Sequence, residues 1–202
     1  MATLTPTRPS VFNVPNQLTL ARFFLAIVLF LLIALEKYWV ECTLVFAAAA
    51  FTDWLDGYLA RKQGLSSTLG RILDPLVDKV LICGAFIFLI PVPDSGLVPW
   101  MATVVVAREL VISSLRSFLE NRGAVFGADW LGKLKMGLQC AALLAIFVYL
   151  HAQTIEEVWP STEFYAGVRT GLIYAMLAAT VMSGMQYLWR ATLLLKVDTV
   201  NS

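Results

Sequence analysis

Charged side chains are scarce in this sequence: Asp, Glu, Lys and Arg make up 14% of its 202 residues, against roughly 25% in an average globular protein. That deficit excludes an ordinary soluble domain. Neither sign is in excess, with 15 Lys and Arg against 14 Asp and Glu and a net charge of +1. That balance argues against a basic nucleic-acid binder and against an acidic tail, although a near-zero sum can hide an uneven distribution. Histidine is nearly absent, His151 standing alone near the end of an apolar run. The three cysteines, Cys42, Cys83 and Cys140, are far apart and share no CxxC or Cys/His spacing, which argues against zinc ligation and thiol redox chemistry and leaves them as packing residues. Residues 1–15 are polar, contain proline and lack the continuous apolar stretch of a secretory signal peptide. They read as a cytoplasmic arm.

Apolar residues, in contrast, are abundant, at 59% of the chain. They gather into six runs at residues 18–35, 39–60, 72–90, 97–117, 132–151 and 168–189, each near the roughly 20 residues that cross about 30 Å of hydrocarbon as a helix. Breakers such as Gly64, Pro91, Pro93, Gly123, Gly127 and Pro160 fall in the short links between them. The expectation is an all-α integral membrane protein with six transmembrane helices: an arm at 1–15, a six-helix domain at 16–190 and a cytoplasmic tail at 191–202. With the N-terminus inside, the outer links hold Glu36, Glu41, Asp94, Glu156, Glu157 and Glu163, and only Lys37 and Arg169 of the basic residues. The positive-inside bias then places both termini in the cytoplasm.

The few charges are not scattered. The second run ends in FTDWLDGYLAR and the third begins GRILDPLVDKV. Asp53 and Asp56 are spaced i,i+3, and Asp74 and Asp78 i,i+4, so each pair shares a helix face. Both pairs fall on the cytoplasmic side. Four carboxylates near hydrocarbon are costly unless cations lie among them, and oxygen donors without Cys or His select Mg²⁺, Mn²⁺ or Ca²⁺. Two cations about 4 Å apart would clamp a transferring phosphoryl group. Gly57 leaves bare backbone for close approach of a ligand, and Arg61 supplies a phosphate fork.

The stretch from Asp53 to Asp78 matches at every fixed position the DxxDGxxAR, eight residues, GxxxDxxxD signature of the CDP-alcohol phosphatidyltransferase family, which this chain resembles. VPNQLTLAR near the start, VVVARELVISSLR in the fourth run and GKLKMGLQ opening the fifth are most similar to the family's bacterial phosphatidylglycerophosphate synthases. The resemblance implies a homodimeric enzyme of the bacterial inner membrane, with its active site at the cytoplasmic ends of helices 2 and 3, that displaces CMP from CDP-diacylglycerol with an alcohol. It further implies that two Mg²⁺ or Mn²⁺ ions per site are bridged by Asp53 and Asp74, with Asp56 completing one ion's shell and Asp78 the other's. Asp78 would also take the proton of the attacking hydroxyl. Asn16, Thr19, Gly57, Arg61 and Ser67 would contact the CDP-lipid.

The acceptor is read from the remaining inner charges. Arg108 and Glu109 lie well inside the fourth run, where a charge is retained for function or for pairing between helices. Arg116 lies two turns on, and Lys133 and Lys135 open the fifth run at the same level. Arg108, Arg116, Lys133 and Lys135 together suit an acceptor with its own phosphate, and the ARELVISSLR and GKLKMG stretches tilt the choice to glycerol 3-phosphate, giving phosphatidylglycerol phosphate. Met136 stands where these synthases often have Thr. Inositol phosphate, or phosphatidylglycerol as in cardiolipin synthesis, remain alternative acceptors. A small metal or ion transporter is the alternative from another class, although all four aspartates lie at one face with no counterpart in the last three runs. Gly167 and Gly171 open the last run with the small-xxx-small spacing of close helix packing, within one subunit or between two.

Overall fold

Each of the six apolar runs folds as one helix in the computed structural model: α1 Val14–Ala34, α2 Trp39–Gln63, α3 Thr68–Leu89, α4 Pro99–Glu120, α5 Trp130–Ala152 and α6 Thr162–Val200. The structure describes the backbone of residues 14–63, 68–120, 130–156 and 159–200, and the side chains of these apart from 14–16, 53–63, 68–72, 120 and 194–200. Prolines stand where a missing N–H costs no helical bond, Pro15 in the first turn of α1 and Pro99 opening α4. Pro75 is different. It lies inside α3, between Asp74 and Asp78, and removes the helical bond that an N–H there would give to the carbonyl of Arg71.

Helix ends reach beyond the apolar runs, because a helix continues as long as its backbone bonds and caps allow. The carbonyl of Ser161 receives the first backbone bonds of α6, from Phe164 at 3.0 Å and Tyr165 at 3.4 Å, so the helix starts six residues ahead of its apolar run. At the other end it continues through residues 191–200, the segment set apart above as a tail. Its 39 residues make a rod of about 58 Å at 1.5 Å per residue.

Helix α1 packs against α2 and α3, α2 against α5, and α4 against α6, while α5 and α6 share the most extensive interface. The core runs through the middle of the bundle and includes Leu29, Ile33, Phe46, Phe86, Leu143, Phe147 and Met176, all fully buried. Phe46 and Phe147 meet edge to face with centroids 6.2 Å apart, joining α2 to α5. Between α1 and α3, Phe30 stacks on Phe88 at 4.9 Å, and its ring lies over Gly84, where an added Cβ would come within 2.2 Å of it. The link from α3 to α4 turns through positive φ at Asp94 (58°) and Gly96 (78°). Arg169 of α6 holds that link in place: it donates to the Asp94 carbonyl and lies over the Tyr149 ring at 4.1 Å.

Among the described residues, α1 from Gln17, α5, and α6 to Leu193 are long and apolar enough to cross a membrane. Among the described residues, Trp39–Thr52 of α2 forms a shorter apolar segment. Helices α3 and α4 carry the charges Asp74, Asp78 and Lys79, and Arg108, Glu109 and Arg116, which dilute their apolar character. The outside of the bundle is apolar, with Phe24, Leu31, Leu44, Phe51 and Met185 all more than half exposed, a surface suited to lipid.

Candidate active site

The first half of α3, the second half of α4, the first half of α5 and the second half of α6 come together around one cleft of about 860 Å³. Its lining brings Asp78, Lys79, Arg108, Arg116, Lys133 and Lys135 into a single space, with Gln139 and Tyr187 completing the wall. Successive helices in this set therefore alternate in direction, and their charged halves meet at one end of the bundle. One level over, the start of α1 meets the start of α3. The buried Thr19 hydroxyl donates to Asp74 Oδ1, fixing the carboxylate that stands one turn before Asp78.

The cationic wall is organised by one acid. Glu109 is buried, and its Oε1 accepts from Lys135 Nζ and from Arg108 Nη1, the latter at 3.3 Å. Arg108 reaches further, donating through Nη2 to Ser183 Oγ on α6 at 3.0 Å, and that hydroxyl donates in turn to the Thr180 carbonyl at 3.1 Å. Gly184 makes this possible, since a Cβ there would sit 3.3 Å from Arg108 Cγ. The Tyr187 ring lies 6.0 Å from both the Arg108 and the Arg116 guanidinium groups, within reach of a cation–π contact with each. By helix register Arg116 and Lys133 sit toward the open end of the cleft, and Arg108, Glu109 and Gln139 toward its floor.

The residues expected at the site fall into two groups. Thr19, Asp74, Asp78, Arg108, Arg116, Lys133 and Lys135 are all placed at this end of the bundle, and five of them line the cleft itself. Asp53, Asp56, Gly57 and Arg61 lie on α2 and Asn16 on α1, but their side chains are outside those described, and Ser67 is outside the described residues altogether. Helix pairing had been the competing reading for Arg108 and Glu109, and the structure gives it substance: Arg108 and Lys135 are both tied to Glu109 while still facing the cleft. Ser183, Gly184 and Tyr187 carried no signal in the sequence, where a Ser, Gly or Tyr in an apolar helix reads as filler, and Gln139 closes the GKLKMGLQ stretch without a role of its own there. The 75-residue separation of Arg108 and Ser183 hides their bond from any local pattern.

For divalent cations the described donors are suitable in kind: two carboxylates one turn apart on α3, a hydroxyl aligning one of them, and no Cys or His in the cleft lining. Hard oxygen donors of this sort suit Mg²⁺ or Mn²⁺. Among the described residues no three ligating side chains of the Asp, Glu, His or Cys type converge.

A profile of the CDP-alcohol phosphatidyltransferases matches residues 12–183, which takes in both carboxylate pairs and the cleft lining apart from Tyr187. The chain belongs to this family. As a CDP-alcohol phosphatidyltransferase it is an enzyme, and its curated relatives are similar over nearly their full length. A CDP-diacylglycerol–glycerol-3-phosphate 3-phosphatidyltransferase of Bacillus subtilis (strain 168) is 34% identical over 194 residues, covering 88% of this chain and 94% of that protein. Proteins of the same name from Escherichia coli (strain K12) and Pectobacterium atrosepticum (strain SCRI 1043) are 34% and 32% identical over 181 residues, each alignment covering 88% of this chain and 93% of the relative.

Proposed function

We propose that this phosphatidyltransferase moves the phosphatidyl group of CDP-diacylglycerol to glycerol 3-phosphate, giving phosphatidylglycerol phosphate and CMP. The observation that carries the proposal is the opening of Asp78 and the cations Arg108, Arg116, Lys133 and Lys135 onto one cleft. A carboxylate able to take a proton stands beside a wall suited to an acceptor that brings its own phosphate. The names of the relatives point to the same acceptor.

In this reading Arg116 and Lys133 receive the acceptor phosphate from the open end of the cleft. Arg108 and Lys135 add charge behind them, and Glu109 keeps both extended into the wall. Asp78 accepts the proton of the attacking hydroxyl, whose oxygen bonds to the lipid-side phosphorus as the bond from that phosphorus to the CMP oxygen breaks. The freed charge leaves on CMP. Divalent cations, two Mg²⁺ or Mn²⁺ ions held by Asp53, Asp56, Asp74 and Asp78, would neutralise the pyrophosphate when bound. Thr19 orients Asp74 for that role, and Asn16, Gly57, Arg61 and Ser67 are assigned with it to the CDP-lipid.

The six helices are taken to span a bacterial cell membrane with the cleft and both termini on the cytoplasmic side. The support is the charge count: of the 15 Lys and Arg, only Lys37 and Arg169 fall toward the opposite face.

The test is CMP release by the purified full chain in mixed micelles of CDP-diacylglycerol with Mg²⁺ or Mn²⁺, offered glycerol 3-phosphate, inositol phosphate, phosphatidylglycerol or serine. Turnover with glycerol 3-phosphate ahead of the others is expected. A folded preparation that releases no CMP with any acceptor overturns the proposal. Asp78→Asn should lower turnover by about 100-fold or more, the contribution of a positioned general base, and near-normal turnover would remove Asp78 from that role.

A further inference from the structure

Gln139 is 1% exposed, lines the cleft, and has an amide nitrogen with no hydrogen-bond partner among the described residues. A buried amide rarely goes unpartnered, because it has surrendered its water and received nothing in exchange. The residue sits one turn along α5 from Lys135, on the same helix face and deeper from the open end. Its surroundings provide two further clues. Ile82 of α3, one turn beyond Asp78, is buried and lines the same cleft. Arg108 also keeps a buried Nε without a partner among the described residues. The floor of the cleft therefore sets the Gln139 amide nitrogen and Arg108 Nε beside the apolar Ile82 side chain, two donors that an acceptor such as a ligand hydroxyl would satisfy.

Resting on the acceptor reading above, we infer that Gln139 binds the non-reacting hydroxyl of the acceptor and so selects a vicinal diol phosphate. Of the three functional carbons of glycerol 3-phosphate, one carries the phosphate held by the cations and one carries the hydroxyl that loses its proton to Asp78. The hydroxyl between them takes no part in bond making. It is the group a neutral amide can recognise without disturbing the charge balance of the wall. A site that hydrogen-bonds a substrate hydroxyl rejects the analogue lacking it, because the protein group is then left buried and unpaired.

The experiment uses the full-length enzyme in CDP-diacylglycerol micelles with Mg²⁺, and compares sn-glycerol 3-phosphate with 3-hydroxypropyl phosphate, which keeps the reacting hydroxyl and the phosphate and lacks only the central hydroxyl. Wild type should lose about 10-fold or more in kcat/KM with the analogue. Gln139→Met, close in volume, should lose a similar factor with glycerol 3-phosphate and little more with the analogue, while KM for CDP-diacylglycerol stays within about 3-fold. Equal use of the two acceptors by wild type overturns the inference. So does a Gln139→Met enzyme that still discriminates between them, which would leave the amide a packing group. Should Gln139→Met not fold, Gln139→Ala is held to the same comparison. Failure of wild type to use glycerol 3-phosphate at all is a separate result, and it removes the acceptor assignment and this inference together.

Discussion

At the scale of single residues, the charge balance of the cleft turns on Glu109. One carboxylate oxygen accepts from two cations on different helices, so removing it leaves Lys135 and Arg108 facing each other in a buried wall. Breaking such a pair by deleting one partner costs far more than the pair contributes net, on the order of 3–5 kcal/mol. Glu109→Gln should therefore lower stability by about 3 kcal/mol, read as a fall in the unfolding midpoint of the detergent-solubilised enzyme. Removing Lys135 in the same chain by Lys135→Met should recover part of the loss, the non-additivity expected of residues in contact. The charged members of this site were legible in the sequence because a charge inside an apolar run is costly and stands out. Their partners were not. Ser183 and Tyr187 differ little from ordinary membrane-helix residues, and only the fold brings them to Arg108.

At the scale of elements, the six helices were legible as six apolar runs, and the order and approximate centres agree. The ends were not, because the capping of α6 at Ser161 lies in polar sequence where hydropathy has nothing to report. Packing of α1 on α3 was equally hidden. It depends on Gly84, whose missing Cβ gives Phe30 room to stack on Phe88, and a glycine within an apolar run shows no sign of its neighbour. Gly84→Leu should drive the Phe30 ring out of that stack and separate α1 from α3, at about 1–3 kcal/mol of overpacking. The same displacement would shift Thr19 away from Asp74, since both lie on these helices toward the site. A lower unfolding midpoint accompanied by weaker turnover is the expected result, measured on the purified variant beside wild type.

At the scale of the whole molecule, two ends of different character emerge. One end collects the cleft and most of the basic residues. The other is closed by the Arg169 contacts to Asp94 and Tyr149 and carries the acidic links. In the proposed orientation these ends face opposite sides of the membrane. Single-cysteine chains made by Pro93→Cys and Val200→Cys, in a background with Cys42, Cys83 and Cys140 replaced, should differ when intact cells are treated with an impermeant maleimide. Labelling is expected at position 93 from outside, and at position 200 only after permeabilisation; the reverse pattern would invert the topology.

The length of α6 bears on this same end. From Tyr187, in the cleft wall, to Val200 the helix continues for 13 residues without interruption, about 20 Å at 1.5 Å per residue. The cleft wall and the far end of the chain are thus parts of one rod. A fluorescent protein joined behind Val200 would ride on a stiff boom instead of a loose tether, and the angle it makes with the bilayer would report any tilt of the wall that holds Arg108 and Tyr187.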